Sequence, residues 1–111
     1  MKTGEVRRVR LPSLPGHTRG GERPAVLVQN EPFLSALPTV LIVPFTGKLA
    51  AGRFPGTVVV QPNGRNGLTI PSVALMFQLS VQDKRDVLDK LGELDTQTLN
   101  QIKAMIAQLT L

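Results

Sequence analysis

The chain has no cysteine, no tryptophan and no tyrosine, and its 111 residues include a single histidine. Without cysteine it can form neither a disulfide nor a zinc–thiolate site nor a cysteine nucleophile, and it fits a reducing compartment. One imidazole falls short of the two or three that most catalytic metal sites use, so no metal and no cofactor is expected. Long apolar runs are missing too. Proline or polar residues interrupt each of them well short of the ~20 residues that span a bilayer. The opening MKTGEVRRVR has no apolar segment behind its charges, so a secretory signal is not expected and a cytoplasmic location is. Residues 1–111 are expected to form one domain, and a chain this long can bury roughly 60–70% of its unfolded surface without covalent staples.

What is present is positive charge. Thirteen basic residues oppose eight acidic ones, for a net charge of +5. The excess is local: Arg7, Arg8, Arg10, Arg19, Arg23, Lys48, Arg53 and Arg65 precede the nearly balanced last third, with Glu5, Glu22 and Glu31 against them. A one-sided positive surface concentrates polyanions, so nucleic acid or an acidic protein is the expected partner.

Taken in order, Gly4–Leu11 reads as a strand whose three arginines face something negative, with Pro12 and Pro15 ending its pairing. Pro24–Asn30, Thr39–Phe45 and Gly56–Gln61 are apolar, β-branched core strands, and Pro44 marks an edge or bulge in the second of them. A short helical piece is expected around Phe33-Leu34, and Leu49–Pro55 reads as a small basic loop. The two Asn-Gly pairs in Pro62–Gly67 are turn signals. Ile70–Leu79 alternates as a further buried strand. Asp83 looks like the N-cap of a short helix over Lys84–Leu91 stopped by Gly92. Asp95 caps a longer helix, Thr96–Leu109, whose Leu99, Ile102, Met105, Ile106 and Leu109 form one apolar stripe for core packing. Short strands, Gly/Pro turns and a terminal amphipathic helix describe a mainly β protein: a small, strongly curved barrel with a C-terminal helix.

One stretch stands out chemically. Gly16–Asn30, GHTRGGERPAVLVQN, is a polar glycine-bearing loop with His17, Arg19, Glu22 and Arg23, running at Pro24 into the strand Ala25–Val28. A basic loop rooted on a buried strand can close over an anion while its base stays in place. An ordinary hairpin connection is the alternative.

Several segments together resemble the MazF/PemK family of toxin endoribonucleases. They are Gly4-Glu5-Val6, Gly16-His17, Gly21-x-Arg23-Pro24-Ala25-Val26, Val43-Pro44-Phe45-Thr46, Pro71-Ser72-Val73-Ala74-Leu75, Gln78, Asp83-Lys84-Arg85 and Leu91-Gly92-Glu93-Leu94. The resemblance implies an SH3-like barrel, a homodimer that binds single-stranded RNA, and a cognate antitoxin with an acidic, disordered C-terminal segment. It also implies metal-independent cleavage, in which the 2′-hydroxyl attacks the adjacent phosphate and leaves a 2′,3′-cyclic phosphate and a 5′-hydroxyl.

The positions that match the family's catalytic pair are Arg23 and Thr46. A guanidinium supplies two parallel donors, and a fixed hydroxyl a third, to the charge that builds on phosphorane oxygens. A structural ion pair with Glu5 or Glu22 is the alternative for Arg23, and a cap on the following turn is the alternative for Thr46. His17 matches a histidine found in part of the family and suits proton transfer at neutral pH; a solvated loop histidine is its alternative. Arg19, Gln29, Lys48 and Arg53 are candidate phosphate or base contacts, or else solvated groups.

The chain also departs from the family pattern. Thr18-Arg19 stands where a Glu-Gln loop is usual, Arg7 or Arg8 replaces a strand-one aromatic, and Leu75 and Phe77 occupy positions that carry an acid–base Arg and Asp in some relatives. A non-catalytic barrel module is the other reading, either a degenerate RNA binder or a gyrase poison of the CcdB type. The latter ends in Trp-Gly-Ile, whereas this chain ends Ala-Gln-Leu-Thr-Leu.

Overall fold

The computed structural model describes residues 1–11 and 21–110. In chain order it contains β1 (Glu5–Leu11), β2 (Gly21–Leu27), α1 (Phe33–Ala36), β3 (Thr39–Thr46), β4 (Thr57–Val60), β5 (Ser72–Leu75), β6 (Ser80–Asp83), β7 (Val87–Glu93) and α2 (Thr96–Thr110). Short 3-10 turns cover Leu49–Arg53, Met76–Gln78 and Lys84–Asp86. The strands follow the order β4-β5-β3-β2-β1-β7, with β6 also on β3 and every pairing antiparallel. The fold is mainly β with a C-terminal helix, as the composition and turn signals predict.

Strand β3 is the hinge of this sheet. Along one edge its first half pairs with β6, from Thr39↔Asp83 to Ile42↔Ser80, and its end pairs with β5 through Phe45↔Ala74 and Thr46↔Val73. Pro44 falls between the two ladders. Having no N–H to give, it suits the point where one pairing stops and the next begins.

That arrangement corrects the expectation of one strand over Ile70–Leu79. Residues Met76–Gln78 leave the ladder as a 3-10 turn, and Met76 donates its N–H to the Gly56 carbonyl at 3.0 Å. Alternation in the sequence continues through the turn, so it carried no sign of the break.

A second correction concerns Lys84–Leu91. Only Lys84–Asp86 turns, capped by the Asp83 carboxylate accepting from the Arg85 N–H at 2.8 Å. From Val87 onward the chain is a strand on the open edge of β1, in register from Val9↔Val87 to Glu5↔Glu93 with two irregularities. The spacing of Val87, Leu88 and Leu91 suits either state, and the unpaired edge of β1 decides for the strand. Gly92 is not a helix stop. A Cβ there would lie 2.3 Å from the Arg65 carbonyl oxygen, so glycine lets the 65–67 turn press against β7.

Both faces of the sheet are covered. Val26, Val43 and Phe45 pack with Val58, Met76, Leu94 and Ile102 beneath α2. Ala25, Leu27, Val40 and Ile42 pack on the other face with Val9, Leu34 of α1 and Val87. The helix begins where predicted: the Asp95 carboxylate accepts from the Thr98 N–H at 2.6 Å. Its stripe buries Ile102 fully and Leu99, Met105 and Ile106 partly, while Leu109 is half-exposed.

The arginines of β1 do meet negative charge, but it belongs to this chain. Arg10 pairs with Asp86 at 3.3 Å and Arg8 with Asp89 at 3.2 Å, both acids lying on or just before β7. Arg7 pairs with the buried Glu5 at 3.0 Å and donates to the Leu88 carbonyl at 2.7 Å. These three side chains brace the β1–β7 edge instead of forming an open basic face.

Candidate active site and nucleic-acid interface

Strand β2 begins three residues before the predicted start, so Arg23 stands on the strand and not in the loop. It lies opposite Val9 of β1. Its guanidinium is partly withdrawn from water, and that desolvation lowers its pKa from the ordinary arginine value; an arginine so shifted still carries its charge at neutral pH.

Thr46 closes β3. Its Oγ1 accepts from the Lys48 N–H at 3.3 Å, which is the turn-capping role weighed above. A hydroxyl that accepts this way keeps its own O–H to donate.

Strand alternation relates the two residues. Side chains two apart share a face, and residues paired across a ladder share it too. Ala25↔Pro44 is the last rung between β2 and β3. Arg23 stands two residues before Ala25, and Thr46 two residues after Pro44, beyond that rung on the same side of the sheet. Next in line on that side is Val73, the partner of Thr46 on β5.

The remaining candidates are scattered. Lys48 follows Thr46 directly, and Arg53 ends the next 3-10 turn with its guanidinium 5.4 Å from the Phe54 ring centre. Neither forms an ion pair among the described residues. Gln29 sits past the other end of β2, and at about 3.3 Å per residue it lies roughly 20 Å along the chain from Arg23. Its Oε1 accepts from the Leu41 N–H at 3.2 Å, tying β2 to β3. His17 and Arg19 lie outside the described residues. Of the two departures on β5 and the turn after it, Leu75 is buried and Phe77 is half-exposed. Among the described residues no three of His, Cys, Asp and Glu gather as a metal site.

A cleft of about 290 Å³ adjoins this strand end. Phe45, Leu68 and Leu91 form its apolar floor, while Arg8, Glu22, Thr69 and Ser72 supply polar groups around it and Thr46 and Gly47 border it. Gly67 and Leu91 meet in its wall. Gly67 adopts φ +72°, and a Cβ on it would lie 2.1 Å from the Leu91 carbonyl oxygen, so only glycine seats the turn there. Asn66, fully buried, holds the turn from within: its Nδ2 donates to Gln61 O at 2.9 Å and its Oδ1 accepts from Leu68 N at 3.0 Å. Sequence reasoning did not find this cleft. Its walls come from β1, β2, β3, β7 and the 67–72 segment, which no local pattern links.

Comparison with known structures places the fold first. MazF of Deinococcus radiodurans (Form-I) superposes with a TM-score of 0.78 at 20% identity, over 98% of this chain and 94% of that one. A mycobacterial endoribonuclease solved in complex with its cognate antitoxin superposes with a TM-score of 0.74 at 24% identity, covering 97% and 92%. The architecture is therefore that of the MazF toxins.

Sequence settles the family. The model of the PemK-like, MazF-like toxins of type II toxin–antitoxin systems matches residues 2–110, and the chain belongs to that family. Endoribonuclease MazF of Staphylococcus saprophyticus is 28% identical over 106 residues, which is 96% of this chain and 88% of that protein.

Proposed function

We propose that this toxin is a sequence-selective endoribonuclease that cleaves single-stranded RNA with Arg23 and Thr46 at the reacting phosphate. The observation that carries the reading is the shared face of these two residues at the adjoining ends of β2 and β3. The substrate supplies the nucleophile. Its 2′-oxygen forms a bond to phosphorus as the bond to the 5′-oxygen breaks, and a proton passes from the 2′-hydroxyl to the departing 5′-oxygen by way of solvent or His17. Charge gathers meanwhile on the non-bridging oxygens. The Arg23 guanidinium and the Thr46 O–H are the donors for that charge, in a setting already partly shielded from water, where such bonds count for more. Arginine's high pKa makes Arg23 a stabiliser of charge and not a base.

Lys48 and Arg53 hold flanking phosphates, and Gln29 reaches only nucleotides several positions away. The active species is a homodimer, its regulator is an antitoxin whose acidic segment competes for the same basic strand end, and its site of action is the cytoplasm. The relatives support the activity and the partner: one is named an endoribonuclease, and another was solved with its antitoxin. No helix of the described residues is long and apolar enough to cross a membrane.

The test is cleavage of a long single-stranded RNA in EDTA. Discrete fragments ending in cyclic phosphate are expected, with the rate falling roughly a hundred- to a thousandfold in Arg23→Ala or Thr46→Ala. Intact RNA retained by a folded protein would instead establish a binder without activity. Impaired DNA supercoiling with intact RNA would establish the gyrase-directed reading.

A further inference from the structure

We infer that the cleft beside Thr46 is a guanine subsite, in which Glu22 and Arg8 read one base of the RNA. The ligand class rests on the nuclease reading above; the cleft itself does not. At about 290 Å³ it lies just below the range of roughly 300–1,000 Å³ typical of small-molecule sites, so it takes one base and not a dinucleotide. Phe45, Leu68 and Leu91 offer apolar surface to a ring. The wall holds its shape before any ligand arrives, because Asn66 and the contact of Gly67 with Leu91 lock the turn that forms it.

The rim decides which part of the RNA enters. Glu22 places a carboxylate at the mouth, and Arg8 is already drawn to Asp89 at 3.2 Å and to Glu22 at 4.0 Å. A phosphate meets no net attraction there. It belongs on the other side of the strand end, by Arg23 and Lys48, while its base drops past Thr46 and Gly47 into the cleft. Single-stranded RNA allows such a splayed base, with its pairing edges open to side chains.

The same rim also decides which base. A carboxylate accepts only, and the Ser72 hydroxyl already donates to the Ile70 carbonyl at 2.9 Å, so it too is left to accept. The Nη groups of Arg8 enter no hydrogen bond among the described residues and can donate. Guanine alone answers both demands in pairs: N1–H and N2–H₂ can donate together to Glu22 while O6 and N7 accept together from Arg8. Adenine and the two pyrimidines each offer the carboxylate one donor group beside an acceptor that it repels, N1 in adenine, N3 in cytosine and a carbonyl in uracil.

The experiment uses oligonucleotides with a deoxyribose at the cut position, which bind without being cleaved, and varies one base at a time by fluorescence anisotropy. At one position next to the cut, guanine is expected to bind about tenfold more tightly than inosine, which lacks the N2 amino group. Glu22→Gln should erase most of that difference. Glu22 is about half-exposed, so the variant should fold, and its melting temperature verifies this. No guanine preference in the wild type, or one that Glu22→Gln leaves intact, overturns the assignment. So does a variant that changes affinity for an acidic peptide and not for guanine. Guanine-selective binding without any RNA cleavage would sink the nuclease reading and leave the subsite standing; cleavage with no base preference here would do the reverse.

Discussion

Two regions of this molecule are basic in sequence and differ in what surrounds them. On β1, Arg7, Arg8 and Arg10 each face an acid within 3.3 Å, supplied by Glu5 or by the β7 side. From Lys48 to Arg53, after β3, no acid among the described residues pairs with the two cations. The density of positive charge along the chain is higher in the first region, yet the second is the better place for a phosphate. Charge counting locates basic residues, but an anion site is located by where the acids are not.

The sharpest way to break this comparison is to truncate side chains at the adjoining ends of β2 and β3 and on the braced β1 edge, and to measure RNA cleavage. Arg23→Ala and Thr46→Ala should each lower the single-turnover rate by roughly a hundredfold or more, whereas Arg10→Ala should leave it within about twofold of the wild type. An equal loss in all three would erase the distinction.

Next in size is stability. Glu5 is nearly buried and holds both Arg7 at 3.0 Å and Lys90 at 3.8 Å. Glu5→Ala leaves the partly buried Arg7 without its carboxylate, and urea unfolding should show a loss of about 3 kcal/mol. RNA affinity at fixed folded concentration should not change, because this edge braces the sheet.

A smaller effect sharpens the contrast in solution. If Lys48 and Arg53 touch phosphates, removing both should lower the slope of log affinity against log salt by about 1.4, at roughly 0.7 per contact on a single strand. Arg10→Ala should leave that slope unaltered. A common change in all variants would show that general charge, and not placement, governs binding.

The smallest effect concerns acid. Hydrogen bonding to the Thr98 side chain and N–H holds the Asp95 carboxyl below its usual range in the folded protein. A carboxyl that is more acidic when folded favours the fold above its unfolded pKa, and this contribution disappears as pH falls through the lowered folded value. Asp95→Ala should therefore lower the melting temperature at pH 7 and flatten its fall between neutral and acid pH. An unchanged pH profile would show that the cap contributes nothing.

Much of the fold could be read from local chemistry. Ala25–Leu27, Val40–Val43 and Thr57–Val60 are apolar runs next to a proline or glycine, and they became strands because little else suits them, although the first stops at Leu27, short of the expected Asn30. The α2 stripe and its Asp95 cap were equally plain. Val87–Glu93 was not, because an edge of β1 waiting for a partner cannot be seen from residues 84–91 alone. The site divides in the same way. Arg23 and Thr46 were marked by their motifs, while the cleft formed by Arg8, Glu22, Leu68 and Leu91 joins residues more than eighty positions apart.

The sequence by itself determined the β-rich class, the terminal helix and the surplus of positive charge, since each follows from patterns spanning a few neighbouring residues. Tertiary structure alone decided which arginines are neutralised, which face Arg23 shares with Thr46, and that a glycine turn pressed on β7 walls a cleft. Those outcomes depend on strand register and on close backbone approach, and both are set by partners distant along the chain.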